Sequence, residues 1–407
     1  VLSYYDESLD EGYYFEDASG NKYTAETATA LIKSEPSSFE VHYKDGENIA
    51  DIGNVESSIS SAIERGENHT YPVTSTITVK YGENSFTVDN TPVYYDGTSK
   101  NYYYYKWSDT NGDMITVGEF AERFANYTGK VDVYHQYAEG KEPLAVGTVE
   151  RIFENGTIRY TDGQFVPVGN FRTDIQNAEL EVNTGASEEC ILNYYNETIG
   201  EGYYFTNAVS NDTKKYTAEE VSELAKSGPV NFNAYYAIAE ETYELGSVHS
   251  EVKASVAYDN TTDKYTVTAT VTLKSPDNSI DITEEVGVYD ASTGKGYYFE
   301  FTDDKGTKST QEQLNNRFEG FTGKAEIYYQ CEDGKTVVKA GEVERVLEST
   351  ELTYENEVFV PKGTFHTEVR SLDGSQSLET IYTSTSESNV LSYYDESLDE
   401  GYYFEDA

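Results

Sequence analysis

The chain of 407 residues is poor in several things at once: one Met, one Trp, two Cys, five His, eight Pro, and 29 Lys and Arg against 74 Asp and Glu, for a formal net charge of −45. Each shortage excludes something. Scarce basic residues rule out an electrostatic grip on nucleic acid or an anionic membrane surface, because like charges repel at every approach. No apolar run reaches the ~18 residues that a membrane span needs, and no basic-then-apolar signal segment opens the chain. Two Cys without C-x-x-C spacing exclude haem attachment, Cys-ligated clusters and the usual zinc knuckles. The five His (His42, His69, His135, His249, His366) are scattered, with no H-E-x-x-H pair, and no G-x-S-x-G elbow, phosphate-cradling loop or dinucleotide fingerprint occurs. Only carboxylate pairs of the glycoside-hydrolase kind stay open among so many acids. Val1 is not an initiator Met, so the chain reads as a mature protein or an excerpt of one.

Aromatic side chains, by contrast, are plentiful: 39 Tyr and 17 Phe. They argue against disorder despite the charge. Repetition organises them. VLSYYDESLDEGYYFEDA at Val1–Ala18 returns unchanged at Val390–Ala407, and a diverged copy, ILNYYNETIGEGYYFTNA, begins at Ile191. GTVERIF…FVPVGNF (Gly147–Phe171) matches GEVERVL…FVPKGTF (Gly341–Phe365). Each unit divides again at Tyr94-Tyr95-Asp96 and Val288-Tyr289-Asp290, giving four related modules, 1–93, 94–190, 191–286 and 287–389, and the start of a further repeat, 390–407. Identical segments within one domain would need different environments; in an array each has the same one.

Periodicity predicts the elements. Tyr265, Val267, Ala269, Val271 and Leu273 alternate with Thr266, Thr268, Thr270 and Thr272, the pattern of a half-buried strand, and Val73–Tyr81 repeats it. Asn155-Gly156 and Asp162-Gly163 read as tight hairpin turns. Thr116 with Glu119 and Thr217 with Glu220 fit capping boxes. Phe120 and Phe124, like Leu314 and Phe318, then share one helical face. Gly228 and Gly320 suit left-handed helix stops. Helices of ~10 residues cannot stand alone in water, so each must pack on a sheet. The expected class is α+β, strand-dominated: a tandem array of about four β-rich modules, each with one short helix on a sheet.

Three kinds of site are candidates. Cys190 and Cys331 read either as buried small apolar residues or as one disulfide, within the chain or between neighbours. Asp109, Asn111, Asp113 and Glu119 partly resemble a calcium loop, but Met114 stands where Gly is required and Phe120 where the bidentate Glu belongs, and an ordinary polar turn explains them too. Diffuse cation binding is expected in any case, to screen the charge of packed chains. Asn68, Asn126, Asn155, Asn196, Asn211 and Asn260 head N-x-T sequons, allowing N-glycosylation. Tyr doublets serve the core and assembly, or a glycan-stacking surface.

The organisation of the whole chain, with tandem modules, Thr- and Tyr-rich strands and extreme acidity, resembles archaeal sheath and surface-layer proteins and bacterial repeat adhesins. That resemblance implies sheets joined edge to edge between protomers. The expected function is a non-catalytic extracellular protein that assembles with itself into a fibre, sheath or layer. The alternatives are the stalk of an adhesin and a carbohydrate-binding or glycoside-cleaving surface protein.

Overall fold

A computed structural model describes residues 1–108, 112–178, 181–210, 213–372 and 377–406. The fold is strand-dominated α+β. Alternation is realised as burial. Tyr265, Val267, Ala269, Val271 and Leu273 face the core while the intervening Thr residues stay partly open, and Val73–Tyr81 alternates in the same way.

Four sheets follow one another along the chain. The first contains β1 (Glu11–Glu16), β2 (Lys22–Tyr23), β3 (Ser38–Asp45), β4 (Asn48–Ile63), β5 (Val73–Tyr81) and β6 (Asn84–Asp89), with α1 (Ala25–Ile32) before β3. The second has β7 (Val93–Tyr94), β8 (Tyr102–Trp107), α2 (Val117–Asn126), β9 (Gly129–Gln136), β10 (Leu144–Thr161), β11 (Gln164–Asn177), β12 (Asn183–Thr184) and β13 (Glu188–Ile191). The third has β14 (Glu201–Asn207), α3 (Ala218–Ser227), β15 (Asn231–Ile238), β16 (Glu241–Asp259), β17 (Lys264–Lys274) and β18 (Ser279–Val286). The fourth has β19 (Gly296–Phe301), α4 (Gln311–Phe318), β20 (Gly323–Gln330), β21 (Val337–Glu355), β22 (Val358–Leu372), β23 (Leu378–Thr383) and β24 (Glu387–Val390).

The strand order is one plan used four times. An aromatic strand leads through the helix to its antiparallel neighbour, and three further strands meander outward: β1-β3-β4-β5-β6, β8-β9-β10-β11-β12, β14-β15-β16-β17-β18 and β19-β20-β21-β22-β23. Each helix is capped by a Thr at its start (Thr24, Thr116, Thr217, Thr310), and the last three add the reciprocal contact of a capping box. Each sheet also carries one bulge at the same place, where the third strand skips a residue ahead of a Gly: Ile52 before Gly53, Val146 before Gly147, Leu245 before Gly246 and Ala340 before Gly341. A bulge turns the extra side chain out of register and bends the strand.

Two compact units result. The first comprises Val1–Asn155 and Gly169–Asn193, the second Gly156–Val168 and Tyr194–Ala407. In the first, Ile63 and Val73 of the first sheet and Tyr71 between them share a core with Tyr105, Val131 and Val149 of the second and with Phe120 and Phe124 of α2. In the second, Val256, Tyr265 and Val267 pack with Phe299, Leu314, Phe318, Ile327 and Val343. Modules therefore share a core in pairs, and α1 closes a further cluster on the first sheet with Ala28, Ile32, Phe39, Ile77 and Val79.

Three expectations about local structure are corrected. Asn155-Gly156 is no turn but lies inside β10, where the buried positions change phase from Val149, Arg151 and Phe153 to Ile158 and Tyr160; the turn is at Asp162-Gly163, where both residues have positive φ. Gly228 has φ 176°, an extended conformation, and Gly320 is not left-handed either. Both are small for close approach: a Cβ on Gly228 would lie 2.7 Å from Asp333 Oδ2, and one on Gly320 2.1 Å from Ser392 Oγ.

Candidate functional site

Every module opens in the same way. The acid or amide after the aromatic doublet folds its side chain onto the next turn: Asp6 Oδ1 accepts from Ser8 N (2.8 Å), Asp96 Oδ1 from Thr98 N (2.8 Å) and Ser99 N (3.0 Å), and Asn196, Asp290 and Asp395 repeat the contact. These amides hold the Asp96 carboxyl far below its ordinary range. The loop then returns as a parallel bridge, Tyr4 to Tyr13, Tyr194 to Tyr203, Val288 to Tyr297 and Tyr393 to Tyr402. In the first, third and fourth modules and the repeat after them a Gly stands at this close crossing, whereas the second module has Tyr102 there. At Gly202 (φ +136°) a Cβ would fall 2.6 Å from Tyr195 Cα.

The Tyr doublets stand in register across this bridge. Tyr203 and Tyr297 are buried, and in three modules the second Tyr of each doublet joins a pair capped by a Lys. Lys22 sits over Tyr5 and Tyr14 (4.1 and 4.2 Å), Lys215 over Tyr195 and Tyr204, and Lys308 over Tyr289 and Tyr298. In a chain with so few cations, placing three of them on equivalent Tyr pairs makes the opening a cation–π clamp.

The second repeated device is a junction. β13 pairs with β11, and β24 pairs with β22. Under each return strand lies a buried Arg on an aromatic face, Arg151 over Phe171 (4.6 Å) and Arg345 over Phe365 (5.0 Å). Each Arg reaches a Glu of the return strand, Arg151 Nη1 to Glu188 at 3.4 Å and Arg345 Nη2 to Glu387 at 2.5 Å. A Leu then plugs a slot floored by Gly: a Cβ on Gly169 would meet Leu192 Cδ2 at 2.7 Å, and one on Gly363 would meet Leu391 Cδ2 at 2.7 Å. The sequence reading missed these Arg residues. The available signal was a basic residue kept inside the apolar run of both long repeats, Val-Glu-Arg-Ile and Val-Glu-Arg-Val.

Both thiols are free, so no bond within the chain joins Cys190 to Cys331. Cys331 is wholly buried in the core of the second unit, where burial pushes its thiol up to about 12, so no neighbouring chain can reach it. Cys190 lies in β13 against Arg151, whose Nη2 approaches its Sγ at 3.4 Å.

Asp109 and Asn111 of the calcium candidate lie outside the described residues. Asp113 is exposed, and Glu119 is committed to the cap of α2, accepting from Thr116 N and Oγ1 at 2.8 Å each. The equivalent Asp17 is a polar turn, accepting from Asn21 Nδ2, Asn21 N, Tyr23 OH and Ser19 N, which lower its carboxyl to about 2. Among the described residues no group of three His, Cys, Asp or Glu side chains could hold a metal. Of the sequons, Asn68, Asn126, Asn155 and Asn260 are exposed and Asn196 is half-buried in its turn. Asn126 Nδ2 donates to Glu122 O, and Asn155 Oδ1 accepts from Asn170. Asn211 lies outside the described residues.

No family model, no curated protein and no solved structure matches this chain.

Each unit also contains a cleft between its paired modules. The cleft of the first unit is about 600 Å³ and is lined by Ile59, Ser60, Ser61, Thr74, Thr76 and Leu144 among others; that of the second is about 450 Å³. Beside the first lies a relay that the sequence did not betray: Ser61 Oγ is 2.8 Å from His135 Nδ1, and His135 Nε2 is 2.7 Å from Asn101 Oδ1. The types and order are those of a nucleophile, base and orienting group. The surroundings favour a structural role. His135 is completely buried, burial lowers its imidazole to about 4, and Ser61 Oγ is also within 3.1 Å of Ser75 Oγ. An imidazole so depressed is a weak base at neutral pH. Among the described residues no helix is long and apolar enough to cross a membrane.

Proposed function

We propose that this chain is a non-catalytic extracellular structural protein that assembles with copies of itself, through sheet edges and module junctions, into a cell-surface fibre, sheath or layer. The observation that carries the reading is the junction. A return strand anchored by a buried Arg passes the chain over a Leu plug directly into the opening motif of the next module, twice in one chain, at Leu192 and at Leu391. Such a joint accepts any number of copies. Edge strands add to it: β6, β18 and β23 each end their sheet, and Phe86 and Ile381 on them are exposed. Open edges offer unpaired amides and carbonyls that proteins without such partners normally block.

Acidity sets the condition. With −45 of charge, packing side by side requires counter-ions to screen it. Negative-stain electron microscopy of the concentrated chain, at low and at raised salt, tests the reading. Regular filaments or layers that grow with salt are expected. Isolated particles under every condition would rule it out, and flexible rods without lateral order would favour the stalk of an adhesin.

A further inference from the structure

The hairpins β10–β11 and β21–β22 are the same piece of sequence used twice. Ile158, Tyr160 and Phe165 of the first correspond to Leu352, Tyr354 and Phe359 of the second. In the first hairpin these side chains are all buried, because the tip, Gly156–Val168, forms part of the second compact unit and is seated on its third sheet. Phe165 N donates to Ser222 Oγ of α3 (2.8 Å), Thr157 Oγ1 to Asp277 Oδ1 (3.2 Å), and Asn278 Nδ2 to Tyr160 O (3.4 Å). In the second hairpin the same positions are open: Leu352 is 55 % exposed, Tyr354 64 % and Phe359 59 %. A surface that this chain covers in one copy is bare in the other.

The matching seat is bare as well. The module that corresponds to the seat, 191–286, is the first, 1–93, where Thr29 stands for Ser222, Glu83 for Asp277 and Asn84 for Asn278; all three are exposed. The bulge gives independent support. Val146, Leu245 and Ala340 are buried, but their counterpart in the first module, Ile52, is 52 % exposed, and the Tyr81–Phe86 ring pair of the same sheet is open too. Of the four bulge residues, only that of the first module is uncovered.

What the bare hairpin takes is indicated by what already lies next to it. Residues 390–406, whose sequence is that of residues 1–17, run along its base: Leu391 N donates to Pro361 O (2.9 Å), and Glu400 accepts from Thr322 N (2.6 Å) and Oγ1 (2.9 Å). Between them and Leu347, Leu352 and Pro361 is an open groove of about 470 Å³. The opening strand of a first-type module is thus held where the third module's opening strand would stand relative to its own hairpin.

We propose that the hairpin Leu347–Gly363 docks on the first module, residues 1–93, of a second copy of this chain, whose residues 1–18 take the place of the identical residues 390–407. The contact is head to tail, so it propagates rather than closing on itself in a two-fold pair. It rests on the assembly reading above and names the surfaces that reading needs.

Two exposed positions allow a test in the full chain without disturbing a core: Phe359→Asp spoils the hairpin, and Thr29→Glu places a carboxylate on the seat against the acids of the hairpin. Size-exclusion chromatography with light scattering, across concentration and salt, is the readout. The unaltered chain should form a series of oligomers, and each variant should lose association by at least tenfold. An equimolar mixture of the two should give pairs and nothing longer, because each variant keeps one working end. Oligomers unaffected by either substitution would overturn this contact while leaving assembly by other surfaces standing. A chain that is monomeric throughout would overturn both.

Discussion

His135 shows how much a single buried side chain fixes. Its Nε2 donates to Asn101 Oδ1, so Nδ1 is the nitrogen that faces Ser61, and the ring joins the two modules of the first unit. Its imidazole is held near 4 by burial, against an ordinary value of 6.5, so the fold keeps it neutral while the unfolded chain takes up a proton more readily. The stabilisation is complete above about pH 6.5 and is lost as the pH falls towards 4, a loss on the order of 3 kcal/mol. Tyr329 occupies the equivalent position in the second unit and carries no such proton. Hydrogen exchange followed from pH 7 to pH 4.5, after correction for intrinsic rates, should therefore show protection at Val131–Val133 falling well ahead of that at Ala325–Ile327. Equal losses in both units would contradict it.

At the scale of elements, strands and helix starts were legible because their signals are local. Alternating Thr and apolar residues give β5 and β17, and Thr116 with Glu119 marks the start of α2, since period and capping need only neighbours in sequence. What was not legible depends on contacts distant in the chain. Asn155-Gly156 carries a turn signal that the pairing of β10 overrides. Gly228 looks like a helix stop but is small because Asp333 approaches it. Arg151 looks like a surface charge and is buried under a return strand. Of the candidate sites, the acids after Trp107 led to no repeated device, whereas Cys190 lies in the junction, against Arg151. The clamp lay in the Tyr doublets and needs a Lys eight to twenty residues away. The opening motif gives the sharpest test of an element. Gly202→Ala must place a Cβ 2.6 Å from Tyr195 Cα at φ +136°, whereas Gly20→Ala, at φ +82°, meets nothing within 4 Å. Denaturant unfolding should show a cost of ~2–4 kcal/mol for the first and ~1 kcal/mol for the second. Similar costs at both positions would mean that the opening loop yields, and that its Gly is not what fixes it.

For the molecule as a whole, recurrence is the organising fact. One strand order serves four sheets, paired modules share each core, and a joint with the same Arg, Gly and Leu follows each pair. The plan also repeats surface: a hairpin covered once and bare once, and a seat covered once and bare once. Hydroxyl-radical footprinting of the full chain, dilute and then assembled, reads those surfaces directly through their aromatic rings. On assembly Tyr354 and Phe359 of the hairpin, with Tyr81 and Phe86 beside the seat, should become protected together, while Tyr160 and Phe165 stay protected at every concentration. If Tyr354 and Phe359 remain as reactive in the assembled material as in the dilute chain, copies of this protein do not join in the way described.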